Sequence, residues 1–255
     1  MMISSELEIV LLVAALYAST CVVFAFADEG VLQHGPRGMR LRLAEDRLRL
    51  AGRSPLWLNP LLPMRPAFRG QWGEVETITV APGLAARVPE ITAASALLAP
   101  YVLAVFLCTI VALPVSLLLA GAGGSLPVVA LAYATVIALM VRLWFLRGSF
   151  LLDGRRFMLV VFESLACPPF AAGLVRRLSL VAPVPDDLAS FVVDMPEDCR
   201  RHAVETLARR CTEMASFLAE NRRACARLGR YRATLEGLAG DFPGGLPVAA
   251  VAERT

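Results

Sequence analysis

Three long runs almost free of charge limit how this chain can fold. Ile9 to Ala27 is nineteen residues without a charge, Ala93 to Ala120 is a longer uncharged run, and Pro127 to Leu146 is interrupted only by Arg142. About twenty apolar residues in a helix cross a hydrocarbon core of about 30 Å. Charged residues make up 18% of the chain, against about 25% in ordinary soluble domains. The reading is a mainly α membrane protein with three transmembrane helices. Ala25-Phe26-Ala27 has the form of a signal cleavage site, but Glu6 and Glu8 precede the first run with no basic residue. That reverses a signal n-region, so a retained anchor over 1–27 is expected.

All 25 basic residues are Arg. Nine fall between the first two runs: Arg37, Arg40, Arg42, Arg47, Arg49, Arg53, Arg65, Arg69 and Arg87. The N-terminus and the Gly121-Ala122-Gly123-Gly124-Ser125 turn hold none. By the positive-inside rule the N-terminus lies outside, while 28–92 and the C-terminus face the cytoplasm of a bacterial inner membrane. Ser125 as N-cap with Pro127 in the first turn would start the third span. The membrane hairpin is then 93–147, kinked at Pro114.

Small residues recur every four residues on the second span, broken only by Pro100 in the same register: Ala96, Ala104, Cys108, Ala112, Ser116 and Ala120, with Ala130, Ala134 and Ala138 on the third. Such spacing lets helix backbones approach closely. Either the two spans pack on each other through it, or a partner subunit's helix also docks there.

In 28–92, Met39 to Ala44 and Arg47 to Leu50 alternate apolar and basic around Glu45-Asp46, the pattern of a β-hairpin, with a further strand at Glu74 to Val80. One face would carry Arg40, Arg42, Arg47 and Arg49, either solvated or against anionic lipid or an acidic partner. Leu56 to Phe68 cannot be regular helix, because Pro60, Pro63 and Pro66 recur in it. Its Leu, Trp and Phe side chains need cover from the membrane interface or another chain.

The region 148–193 is ambiguous. Phe157 to Val175 is apolar but holds Glu163 and Cys167-Pro168-Pro169, so a buried or interfacial element, a re-entrant segment and a fourth span all stay open. In a membrane Glu163 would be a candidate for ion or proton handling. In 194–255, Asp194 and Glu197 resemble a capping box. Val204, Leu207, Cys211, Met214, Leu218, Asn221, Cys225, Leu228 and Leu235 then follow a seam of three- and four-residue steps, the period of a coiled coil. A long cytoplasmic helix is expected there, with a flexible tail after Gly240.

No nucleotide loop, nucleophile elbow or metal motif is present; no catalytic residue, metal or cofactor is expected. A net charge of +3 gives no reason to expect nucleic acid. Membrane lipids and other subunits, identical or not, are the expected partners. The reading is a non-catalytic structural or accessory subunit of an inner-membrane complex. The alternative is a conducting or transport subunit, because the order of spans resembles in outline the TolQ/ExbB-type motor subunits. That resemblance is one of topology alone.

Overall fold

A computed structural model describes residues 5–35, 38–43, 53–72, 87–182, 188, 197–217 and 221–240. Helix α1 (Ser5–Ser19) is followed by strands β1 (Val22–Ala25), β2 (Glu29–Gly35), β3 (Gly38–Leu43), β4 (Ser54–Trp57) and β5 (Ala67–Gln71). Helix α2 (Arg87–Phe106), a π-helical segment (Leu107–Ala112) and α3 (Leu113–Leu146) come next. Three short helices follow, α4 (Gly154–Ala166), α5 (Pro168–Ala172) and α6 (Leu174–Val181), then α7 (Glu197–Phe217) and α8 (Arg222–Gly240).

Among the described residues, two stretches are long and apolar enough to cross a membrane, 87–121 and 123–146. The first run ends as a helix earlier than its hydropathy suggests. Thr20 N–H and Cys21 N–H bond back to Tyr17 O and Ala18 O, and Val22–Ala25 then pairs with β4 as a strand. Two consecutive valines and a phenylalanine suit a pleated surface. The fifteen residues of α1 span about 22 Å, less than the full core of a bilayer.

Strand β2 is the middle of an antiparallel sheet ordered β3-β2-β5. Its two faces are buried against different things. Val31 meets Val23, Ala25, Leu56 and Ala67 between this sheet and the β1–β4 pair. Leu32, flanked by Leu41 and Phe68, points the other way into a core shared with Ile91, Leu98 and Leu207. Arg42 and Arg69 flank Val31 in register and donate to Trp57 O and Phe24 O, the latter at 2.8 Å. Among the described residues β3 pairs with β2, a strand the alternation did not indicate, while 44–50, the second arm of the expected hairpin, and the strand expected at 74–80 lie outside the described residues.

The long hairpin turns at Gly121, whose φ of 65° suits glycine. Ser125 is inside the helix that follows, not at its cap. Pro114 has no N–H to give, and the strain is taken up just before it. Leu113 N–H bonds to Cys108 O, five residues back, in a π segment. After Leu146 the chain makes one more turn, closed by Leu152 N–H to Arg147 O at 3.0 Å, with Leu151 in the left-handed region where glycine is usual.

The single long C-terminal helix expected over 194–240 is two helices. Thr212 meets Arg232, and Ala215 meets Cys225, so α7 and α8 run antiparallel. Asn221 caps α8 by accepting from Ala224 N–H at 3.2 Å.

Phe68 is fully buried between β2 and the helices. Phe68→Ala should cost about 3–5 kcal/mol and lower the midpoint of thermal unfolding, measured by circular dichroism on the full chain. Leu61→Ala, at an exposed position, should leave it within a degree or two.

Candidate functional site

The most unusual buried group is Arg176, with no exposed surface at all. Helix α6 holds it beneath the proline-rich loop after β4. Its Nη2 donates to Asn59 O at 2.9 Å and Leu62 O at 3.3 Å. The Tyr17 hydroxyl of α1, beside Arg176, donates to Pro60 O. A loop whose prolines deny it a regular hydrogen-bond ladder is thus held by two side chains from two helices. Asn59 adds a local turn, its Oδ1 accepting from Leu61 N–H at 3.0 Å.

Leu58, Pro63 and Pro66 are buried under the chain itself, so much of the cover for this loop comes from within. Trp57 and Leu61 stay exposed. Burying a guanidinium without a countercharge costs several kcal/mol, by order of magnitude, and only polar partners limit that cost. The sequence signal was weak: Arg176-Arg177 reads as one basic flank of an apolar run. The structure sends the two side chains to different places.

Arg177 pairs with Glu163 and lies 5.8 Å from the Phe170 ring. Glu163 is thus a paired, half-exposed carboxylate. The segment 157–175 is three short helices broken at Cys167 and Gly173, none long enough to span.

The small-residue stripe is divided. Cys108 is buried, Ala104, Ala112 and Ser116 are half-buried, and Ala96 and Ala120 are exposed. On α3 the inward face is Ala132, Val136, Leu139 and Leu143, while Ala130, Ala134 and Ala138 all point outward. Larger apolar groups gain more contact by facing in. The hydroxyls of Thr109, Ser116 and Thr135 bond to carbonyls of their own helix.

Of the seam residues, Val204, Leu207, Cys211, Leu228 and Leu235 are buried, and Met214 and Cys225 are half-buried. They close on each other and on the chain's own core. Asn221 is exposed and Leu218 lies outside the described residues. Of the arginine face, Arg40 and Arg42 are exposed, with Arg42 tied to Trp57 O, while Arg47 and Arg49 lie outside the described residues. Among the described residues no three His, Cys, Asp or Glu side chains group as a metal site would require.

No family model, curated protein or solved structure matches the chain, so function is read from these residues directly.

Arg176→Ala would empty a buried site and take one of two donors from each of Asn59 O and Leu62 O, which also accept Leu62 N–H at 3.3 Å and Arg65 N–H at 3.2 Å. The expected loss is about 2–4 kcal/mol, read as a lower unfolding midpoint with faster chymotrypsin cleavage next to exposed Leu61. An unchanged midpoint and cleavage rate would mean that the loop is held by packing alone.

Proposed function

We propose that the chain is an integral subunit of a bacterial inner-membrane assembly, structural or accessory and not catalytic, which contributes a helical hairpin to the bilayer and a folded body to the cytoplasm. One observation carries the reading. In the most apolar stretches of the two long helices, with mean hydropathy 2.8 and 2.1, only 22% and 28% of residues are buried. The core helix of a soluble protein would be mostly covered, whereas a surface of bare Leu, Val and Phe at this density needs lipid or another chain.

The stretch 87–121 has 35 residues, about 52 Å, longer than a bilayer core. Its first half turns Val88, Ile91, Leu98 and Val102 into the folded body, and the barer second half is the part we assign to lipid. Helix α1 packs beside this hairpin, its Tyr17 ring 5.3 Å from Phe106, and its outward Leu7, Leu11 and Leu12 are exposed; we count it as a third, shorter membrane element. The arginine asymmetry supports a cytoplasmic body and an outside Gly121 turn.

The outward row Ala130, Ala134 and Ala138 supports the subunit reading, because small residues are what a second membrane helix needs for close approach. Conduction has less support: Glu163 is engaged by Arg177, and the hydroxyls of Thr109 and Thr135 bond to carbonyls of their own helices, although Ser95 Oγ is buried without a partner among the described residues.

Ala134→Leu should reduce co-purification of partner subunits in mild detergent at least several-fold while leaving the unfolding midpoint unchanged, because nothing among the described residues covers that exposed position. Ala132→Leu, on the buried face, should instead destabilise the chain itself. Unaltered assembly in Ala134→Leu would remove the packing argument. For orientation, in a background without native cysteines, an impermeant thiol reagent on intact cells should label Gly123→Cys but not Arg53→Cys; the opposite pattern would reverse the topology.

A further inference from the structure

We propose that α4 lies in the plane of the membrane surface, with Met158, Leu159 and Phe162 among the outer acyl carbons and Arg155 and Arg156 against the phosphates of anionic phospholipid. The proposal rests on the hairpin being in a bilayer.

Helix α4 has thirteen residues, about 20 Å, too short to cross. Its inner face is closed by Phe157 and Ser164, both buried. On an ordinary surface helix the face opposite the core is polar. Here that face carries Met158, Leu159 and Phe162, exposed by 63%, 57% and 70%. At positions i, i+1 and i+4 they fall on one arc of the helix, a patch and not a scatter of single residues. Such a helix has a core on one side and, beyond its first turn, an apolar arc on the other, with Glu163 at the border paired to Arg177.

The start of α4 is fixed at the end of the membrane hairpin. The Phe157 ring meets Trp144 of α3 edge-on at 5.0 Å. Arg147 lies 4.0 Å over the same Trp144 ring, and Phe145 beside it is exposed. Tryptophan and arginine at one level mark the headgroup layer, so the apolar arc of α4 begins at that depth.

Charge points to the same occupant. Arg155 and Arg156 sit in the first turn of α4 and are exposed. Cations there oppose the helix dipole, and Asp153 offsets this only in part, its Oδ1 accepting from Arg156 N–H at 2.6 Å. Among the described residues, no ion pair engages Arg147, Arg155 or Arg156. A phosphate at this end of the helix satisfies both the dipole and the guanidinium forks.

The test uses the full chain with its native cysteines replaced and one fluorescently labelled cysteine at Phe162, Ala138 or Glu205, reconstituted into phosphatidylcholine vesicles with a one-third fraction of phosphatidylglycerol. Nitroxide lipids report depth. The label at 162 should be quenched more by a nitroxide near the headgroup end of the acyl chain than by one near its tail. The label at 138 should show the reverse, and that at 205 should respond only to aqueous iodide. A label at 162 that behaves like 205 overturns the proposal and leaves the hairpin reading intact. Deep quenching at 162, like 138, makes this segment re-entrant and also overturns it. A label at 138 that behaves like 205 means that the membrane reading itself has failed. Shallow nitroxide on phosphatidylglycerol should quench 162 about twofold more than the same nitroxide on phosphatidylcholine, by electrostatic enrichment. Arg155→Gln with Arg156→Gln should bring that ratio to one. Equal quenching with both arginines present overturns the phosphate assignment.

Discussion

With Val31 facing one way and Leu32 the other, β2 needs apolar cover on both sides, and the polar end of the molecule is arranged to supply it. The β1–β4 pair covers one face; α2, α6 and α7 contribute to the other. A central strand without solvent on either face cannot slip by one residue, since both cores would be emptied together. Arg42 and Arg69 reinforce the same register by reaching across to carbonyls of the neighbouring sheet. The body is thereby fixed around β2, and the hairpin emerges from it through the inner half of α2.

Along the hairpin the criterion for a good surface changes. Near the body, α2 buries its large side chains. Beyond the π segment most of its large side chains are bare, as they are along the outward face of α3. The hydroxyls of Thr109 and Thr135 are kept within their own helices, whereas Ser95 Oγ, nearer the body, is buried without a partner among the described residues. The proline that would otherwise break the helix is accommodated by a longer ring ending at Leu113.

Much of this was legible from residues alone. The two long helices follow from uncharged length, and the turn between them from its glycines. The end of α1 was not legible, because hydropathy scores Val22-Val23-Phe24 equally well as membrane helix or buried strand. Strand β2 was not foreseen for a related reason. Alternation is visible only where one face meets water, so β3 was found, whereas β2, covered on both faces, has no period to detect. Most of the described apolar residues from Val204 to Leu235 are buried, but two antiparallel helices folded on each other bury the same stripe as one long helix on a partner or on the chain's own body. Asn221, which reads as a polar register residue, is a cap at the break. Arg176 was missed because its neighbour has the same side chain and opposite surroundings.

The choice of arginine at 176 has a consequence for how the loop over it can be released. A lysine buried in the same place could give up its proton and remain as a neutral amine, so that its grip would weaken with pH. A guanidinium does not lose its proton under such conditions. It holds Asn59 and Leu62 with full charge or leaves the interior with full charge. Opening the loop requires water to reach the arginine, and the prolines that keep the segment from forming a helix also limit how far it can yield before that happens.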